Sequence, residues 1–209
     1  KSIILCATGL TLLFSSCRKE EWLNPQPKTL ITDVTAFSTP ERILSQVNGL
    51  YASMKASNYL GSWYTLISDV RTGEFHCSNM NAATGATMYS MLPQTTTSDV
   101  NDIWVATYAS INKLNVFLDG LDNGGDAVLD AATANSYRAE ARLIRGMTYY
   151  YLLQFYARPY WDGNGSKPGL PLRLKGNTGP GNYDLERSTV AETYKQVLAD
   201  LDFAEQNLP

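Results

Sequence analysis

Histidine and cysteine are scarce in this sequence: His76 is the one histidine, and Cys6, Cys17 and Cys77 are the three cysteines among 209 residues. Zinc sites of the usual kind draw on four His or Cys ligands at set spacings, so that shortage argues against a metal site. His76 stands beside Cys77, but no further residue sits at ligand or triad spacing, and no nucleophilic centre is read there. Basic charge is also not in excess. With 17 Lys and Arg against 20 Asp and Glu, the net charge is −3. A broadly basic surface for phosphate backbones is therefore excluded, and nucleic acid with it. No apolar run reaches the ~20 residues that a membrane-spanning helix needs, and no cofactor motif is present. What the chain does have is tyrosine, 13 of them beside 4 Trp and 6 Phe, in a composition 44% hydrophobic and 18% charged. Such a chain can bury a core of its own.

The N-terminal segment reads as an address. Ile3 to Phe14 is mostly apolar but too short to cross a bilayer of about 30 Å as a helix, and it fits the h-region of a signal peptide. The chain opens on Lys1 rather than methionine, so its gene product is expected to start further upstream. Phe14-Ser15-Ser16-Cys17 resembles a bacterial lipobox, with phenylalanine where leucine is usual. The expectation is a signal peptide at residues 1–16, cut before a Cys17 that carries acyl chains. Acyl chains at about 0.8 kcal/mol per buried CH₂ anchor a protein without a spanning helix. Cys6 then leaves with the signal and Cys17 is consumed, which leaves Cys77 with no partner for a disulfide. Behind the anchor, Lys19, Glu20 and Glu21 resemble the lipoprotein export signal of Bacteroidetes, which sends proteins to the outer face of the outer membrane. A short solvated linker is the alternative. Pro25 and Pro27 make residues 17–37 an extended tether.

Helical periodicity begins at Ser38-Thr39-Pro40-Glu41, where a cap residue, a first-turn proline and an acid predict a helix over about 40–56. Leu60, Tyr64 and Ile67 predict a second over about 59–70. Residues 71–97 carry Gly73, Gly85 and Pro93 among Asn, Thr and Ser, and read as a long irregular loop. A helix follows from Ser98 to about Leu121, with Ile103, Tyr108, Ile111, Leu114, Asn115 and Leu118 as its buried stripe. Gly120 and Asn123-Gly124-Gly125 are its expected stop. The longest helix is predicted over 128–156, its stripe formed by Ala139, Leu143, Gly146, Tyr150 and Leu153. Residues 158–187 form a second Gly- and Pro-rich loop. Thr189 and Glu192 then open the last helix with a capping box.

Four of these stretches resemble one family. Ser136 to Tyr156, reading SYRAEARLIRGMTYYYLLQFY, is similar to the "AEARFLRAxxYFxLxxxFG" helix of the SusD/RagB family. Gly169-Leu170-Pro171-Leu172 fits that family's "xPL" segment. Arg187 to Pro209 resembles its "RSTVxEVYxxIxxDLxxAxxxLP" helix, and Trp104, Tyr108, Ile111 and Asn115 resemble its "W-x3-Y-x2-I-x3-N" pattern. Ala157-Arg158-Pro159 departs from the pattern, which has glycine after the Phe-Tyr pair. The resemblance implies an all-α, tetratricopeptide-like helical repeat with long irregular loops over residues 38–209, forming the N-terminal part of a longer protein. It also implies a glycan-binding lipoprotein, without catalytic residues or cofactor, that forms the lid of a SusC-like TonB-dependent outer-membrane receptor. A cell-surface helical scaffold without a small ligand is the alternative, and a glycan-degrading enzyme is a third reading.

Tyr149, Tyr150, Tyr151, Phe155 and Tyr156 sit at helical spacing and read as core rather than as a sugar platform. Glu140, Arg142 and Arg145 beside Arg138 predict a carboxylate–guanidinium network. No acid pair is marked out for glycoside hydrolysis. The candidate glycan-binding residues lie outside the stripes: Asp69 and Arg71 at the end of the second helix, then Asn79, Asn81, Tyr89 and Gln94 along the first loop. Sugar recognition needs a ring face for stacking and planar polar groups for hydroxyls, and this stretch supplies both. Tyr160 and Trp161 in the second loop are weaker candidates.

Overall fold

Six α-helices are described by a computed structural model covering residues 35–74, 78, 79, 81 and 85–209. Cys17, Lys19, Glu20, Glu21, His76 and Cys77 lie outside the described residues. Helix α1 spans Pro40–Met54. Thr39 accepts a hydrogen bond from the Arg42 amide at 3.4 Å, and Pro40 occupies the first position, where its missing N–H costs nothing. Helix α2 spans Trp63–Arg71, α3 Ala86–Tyr89, α4 Ser98–Asp122, α5 Ala131–Tyr156 and α6 Val190–Asn207. Asp130 caps α5 by accepting from the Thr133 amide. Thr189 and Glu192 close the expected capping box on α6, satisfying each other's end of the first turn. Among the described residues there is no strand, only one isolated antiparallel bridge between Pro168 and Thr189. No described helix is long and apolar enough to cross a membrane.

The helices pack in antiparallel succession. On α1, Ile43, Val47 and Leu50 bury against Leu114, Phe117 and Leu121 of α4 and against Ala141 and Ile144 of α5. Further along, Ile111 of α4, Tyr149, Leu152 and Leu153 of α5, and Val190 and Val197 of α6 enclose Leu170. Gly146 brings α5 and α6 together: a Cβ there would stand 3.2 Å from the Asp200 Cβ and 3.3 Å from the Val197 carbonyl.

Four expectations need correction. The second helix starts at Trp63 rather than near residue 59, because Ser57–Gly61 form a wide turn in which Tyr59 leaves helical geometry (φ −131°, ψ −128°). That departure sends the Tyr59 ring into the core, where its hydroxyl donates to Thr148 at 2.7 Å. Burial of a whole aromatic ring outweighs one turn of helix propagation. Within the first loop, α3 forms because Met88 has an apolar site to fill beside Ile67 and Ile103. Gly120 does not stop α4. It makes room for the Phe37 ring, and Gly124, at φ +104°, takes the left-handed turn after the helix. Tyr150 is 43% exposed, while its neighbour Tyr149 is fully buried. The expected stripe was therefore one position out of phase at this turn.

The second loop is held far more tightly than its composition suggests. Tyr108, Asn112, Asn115 and Asp119 recur at steps of four, three and four along α4, and each grips backbone of residues 171–177. Tyr108 donates to the Pro171 carbonyl, and Asn115 to that of Arg173. Asn112 exchanges hydrogen bonds with both backbone groups of Asn177, and Asp119 accepts from the Gly176 amide. From α5, the Tyr149 hydroxyl accepts from the Arg173 amide and donates to its carbonyl, both at 2.8 Å. An extended segment with no sheet to join satisfies its polar groups on the side chains of two helices.

Candidate functional site

The expected guanidinium network exists, but its carboxylate is Asp200 rather than Glu140. Asp200 is fully buried on α6. It accepts from Arg142 Nε at 2.9 Å, and from Arg145 Nε and Nη2 at 2.8 Å each. Arg145 turns its remaining amino group to Asn115 Oδ1 at 2.8 Å, which ties α4 to α5 and α6. Glu140 instead sits near the Tyr51 hydroxyl, whose pKa is pushed up to about 12 by burial first and by this carboxylate second. Both Asp200 oxygens are taken by the two guanidiniums, Arg142 turns Nη2 to the Ala199 carbonyl and Asn115 turns its amide to the Arg173 carbonyl, so the cluster holds helices together.

A cavity of about 350 Å³ opens where the C-terminal ends of α2 and α5 meet the start of α4. Ile67, Met88 and Ile103 form its apolar floor, and Phe155 with Tyr156 supplies an aromatic wall. Tyr156 is anchored through its hydroxyl, which donates to the Val100 carbonyl at 2.6 Å. Burial raises that phenol's pKa well above the ordinary value, so it remains a donor at any physiological pH. Arg71 stands over the Phe155 ring with its guanidinium carbon 5.5 Å from the centroid. Gln94 and Thr95 close the rim.

Of the residues singled out by sequence, Arg71 and Gln94 line this cavity. Asp69, Asn79, Asn81 and Tyr89 are exposed and stand outside its described lining. Asp69 contributes its carbonyl to the end of α2, accepting from the amide and hydroxyl of Thr72. Tyr89 projects from α3 between Met88 and Met91, both of which do line the cavity.

Three lining residues escaped the sequence reading. Phe155 and Tyr156 were assigned to the core by their helical spacing, and a wall of a cavity keeps the same spacing. Asp99, in the first turn of α4, has the sequence signature of an acid placed for the helix dipole. Its residue is only 6% exposed, and one carboxylate oxygen, Oδ2, has no hydrogen-bond partner. Burial raises its pKa, the neighbouring Asp102 charge adds to that, and a hydrogen bond from Ser98 works against it.

A SusD-like family model, described as starch-binding associating with outer membrane, matches residues 21–209. The chain belongs to this family. The SusD-like protein P25 of Formosa agariphila is 23% identical over 207 residues, which cover 94% of this chain and 36% of that protein. A crystal structure of a SusD superfamily protein from Bacteroides fragilis aligns at 35% identity with a TM-score of 0.73, covering 79% of this chain and 39% of the other. One from Bacteroides thetaiotaomicron gives a TM-score of 0.75 at 22% identity, over 82% and 38% of the two chains, and shows the shared fold alone. The all-α, tetratricopeptide-like architecture expected from the sequence is the one this SusD-like chain adopts. The chain spans less than half the length of the relatives it matches.

Proposed function

We propose that this SusD-like chain is the N-terminal part of a cell-surface lipoprotein that binds oligosaccharide and lies as a lid over a SusC-like TonB-dependent receptor. The observation that carries the proposal is the cavity at the ends of α2, α4 and α5, within a chain whose family is starch-binding and associates with the outer membrane. An aromatic wall suits the apolar face of a sugar ring. Arg71, Gln94, Thr95 and Asp99 offer donors and acceptors suited to its hydroxyls. Tyr89, Asn79 and Asn81, on the exposed stretch beside the cavity, would extend contact along a chain of sugars, with Asp69 at its margin.

In this reading Cys17 carries the lipid anchor, and Lys19, Glu20 and Glu21 direct the protein to the extracellular side. The test uses the full chain in affinity electrophoresis through gels containing soluble glycans. Retardation by at least one glycan, weakened by Gln94→Ala, is expected; migration unaffected by every glycan would refute binding. Copurification of a TonB-dependent receptor from solubilised outer membranes tests the lid role separately, and its absence would overturn that part.

A further inference from the structure

Arg71, the last residue of α2, is the one described arginine whose guanidinium meets no acceptor among the described residues. Arg138, Arg142, Arg145 and Arg158 each pair with a carboxylate, Arg42 donates to the Ser38 hydroxyl, and Arg173 and Arg187 donate to backbone carbonyls. Asp69 and Glu74 are near Arg71 in sequence and Asp99 shares its cavity, but none of the three is within ion-pair distance of it. Asp99 is buried and Arg71 only half-buried, so the cation is the charge that a molecule in the cavity meets.

The guanidinium is nevertheless held in place. It lies over the Phe155 ring, 5.5 Å from the centroid, and that ring packs in turn against Tyr64 at 4.6 Å. The electron-rich ring face attracts the cation, and the carbonyl end of α2 adds its own attraction for positive charge. Neither attraction consumes an N–H donor, so the planar fork of donors remains available. Ile67, Met88 and Ile103 make the floor beside it apolar, and charge attraction there is screened less than in open solvent.

We infer that Arg71 is the specificity-determining residue of this site and that it selects acidic sugars, uronates or sulfated sugars, over neutral ones. The inference rests on the glycan-binding reading above. A neutral hydroxyl accepts one N–H of the fork. A carboxylate or a sulfate accepts two in parallel and supplies the counter-charge that Arg71 lacks, and charge-assisted bonds of this kind are roughly twice as strong as neutral ones. The ring that carries the anion then meets Phe155 and Tyr156, while Gln94 and Thr95 on the rim remain for its hydroxyls. A net charge of −3 gives the chain no general affinity for anions, so the preference has to come from a local cation.

The experiment titrates the full chain calorimetrically at about pH 7, where uronate and sulfate are both ionised. Three probes of equal length are used: an oligogalacturonate, a sulfated galactan oligomer and a maltooligosaccharide. At least one acidic probe is expected to bind about tenfold tighter or more than the maltooligosaccharide, and the tighter of the two names the anion. Arg71→Gln keeps a donor, removes the charge and should erase the preference, whereas Arg71→Lys keeps the charge and should retain part of it. Arg158→Gln, which removes an exposed arginine outside the cavity lining, should leave the preference intact. Equal affinity for all three probes, tightest binding of the maltooligosaccharide, or a preference that survives Arg71→Gln overturns the selectivity and leaves the glycan reading standing. A preference lost as fully in Arg71→Lys or in Arg158→Gln does the same. Binding of none of the three by the wild-type chain overturns both.

Discussion

Replacing Asp200 with asparagine should cost this fold more than any change of equal size at its surface. The side chain of Asp200 is fully buried, and that of its principal partner Arg145 is only 8% exposed. Three guanidinium hydrogen bonds converge on the two carboxylate oxygens. Asparagine preserves the volume but removes the charge, and its amide nitrogen turns a donor toward two arginines. Arg145 is left as a buried cation with no anion beside it, held by Asn115 and by the single oxygen of the new amide. Breaking a buried pair in this way typically costs about 3–5 kcal/mol. In a chain of this length such a loss lowers the melting temperature on the order of 10 °C. Arg142, the more exposed partner, can turn to water, so Arg142→Ala should cost roughly 1–2 kcal/mol, part of it from lost packing on the Phe203 ring. Arg138 pairs with Asp122 and Asp126 at the surface, so Arg138→Ala should cost less than ~1 kcal/mol. Urea titrations of the three variants, extrapolated linearly to water, give the ranking. A loss below about 1 kcal/mol for Asp200→Asn, or one no greater than that of Arg138→Ala, would refute the assignment of Asp200 as the electrostatic centre of the helix packing.

Tyr149→Ala should destabilise by roughly 3–5 kcal/mol in the same assay, since it removes a buried ring and both ties to Arg173, whereas the exposed Tyr150→Ala should barely register. Tyr89→Ala should weaken oligosaccharide binding by roughly 1–3 kcal/mol in calorimetric titration if its ring stacks on a sugar, and leave the melting temperature unchanged. Burial raises the folded-state pKa of Asp99 above the carboxylate value of 3.8. The protonated form therefore favours folding, and that stability is present at lower pH and lost as pH rises through the folded pKa. Asp99→Asn should accordingly melt higher than the wild type near neutral pH and lose the advantage below 3.8; a constant difference across that range would disprove the linkage. Cys17→Ala should release the protein from the membrane fraction and abolish acyl labelling. Alanine at Lys19, Glu20 and Glu21 should leave it lipidated but shielded from protease added to intact cells.

Helices α1, α5 and α6 were legible because their caps and stripes agree, α4 was legible from its stripe, and the family motifs lie on the surfaces that pack. Asn115 illustrates this: its place in the motif follows from gripping Arg173 and accepting from Arg145, both structural tasks. Periodicity gave less where a residue's neighbours come from elsewhere in the chain. Tyr149 and Tyr150 are both aromatic and adjacent, and only the position of α6 and Arg173 decides which faces inward. Asp200 carried no signal separating it from Asp202, two residues on and exposed. The Tyr108, Asn112, Asn115 and Asp119 ladder was half seen: Tyr108 and Asn115 were placed in the buried stripe, whereas Asn112 and Asp119 read as solvent-facing until the segment they hold is known.

The candidate site was less legible for a related reason. Sequence reasoning looked for binding residues among side chains free of any stripe, and it found Arg71 and Gln94 that way. A cavity, however, is walled by side chains that also pack, so Phe155 and Tyr156 belong to stripe and site at once. Asp99 shows the other half of the problem. Its sequence position promises a favourable helix-dipole contact, but its burial leaves an oxygen unsatisfied. Such a cost persists only where the surrounding structure overdetermines the backbone. Here α4 is fixed downstream by Phe117 and Leu121 in the core, by Asn115 against Arg145, and by its ladder onto residues 171–177. The strong contacts lie along its middle and C-terminal half, and the uncompensated carboxylate lies in its first turn. That division lets the first turn of α4 keep a buried acceptor unsatisfied, because the rest of the helix is held independently of that carboxylate.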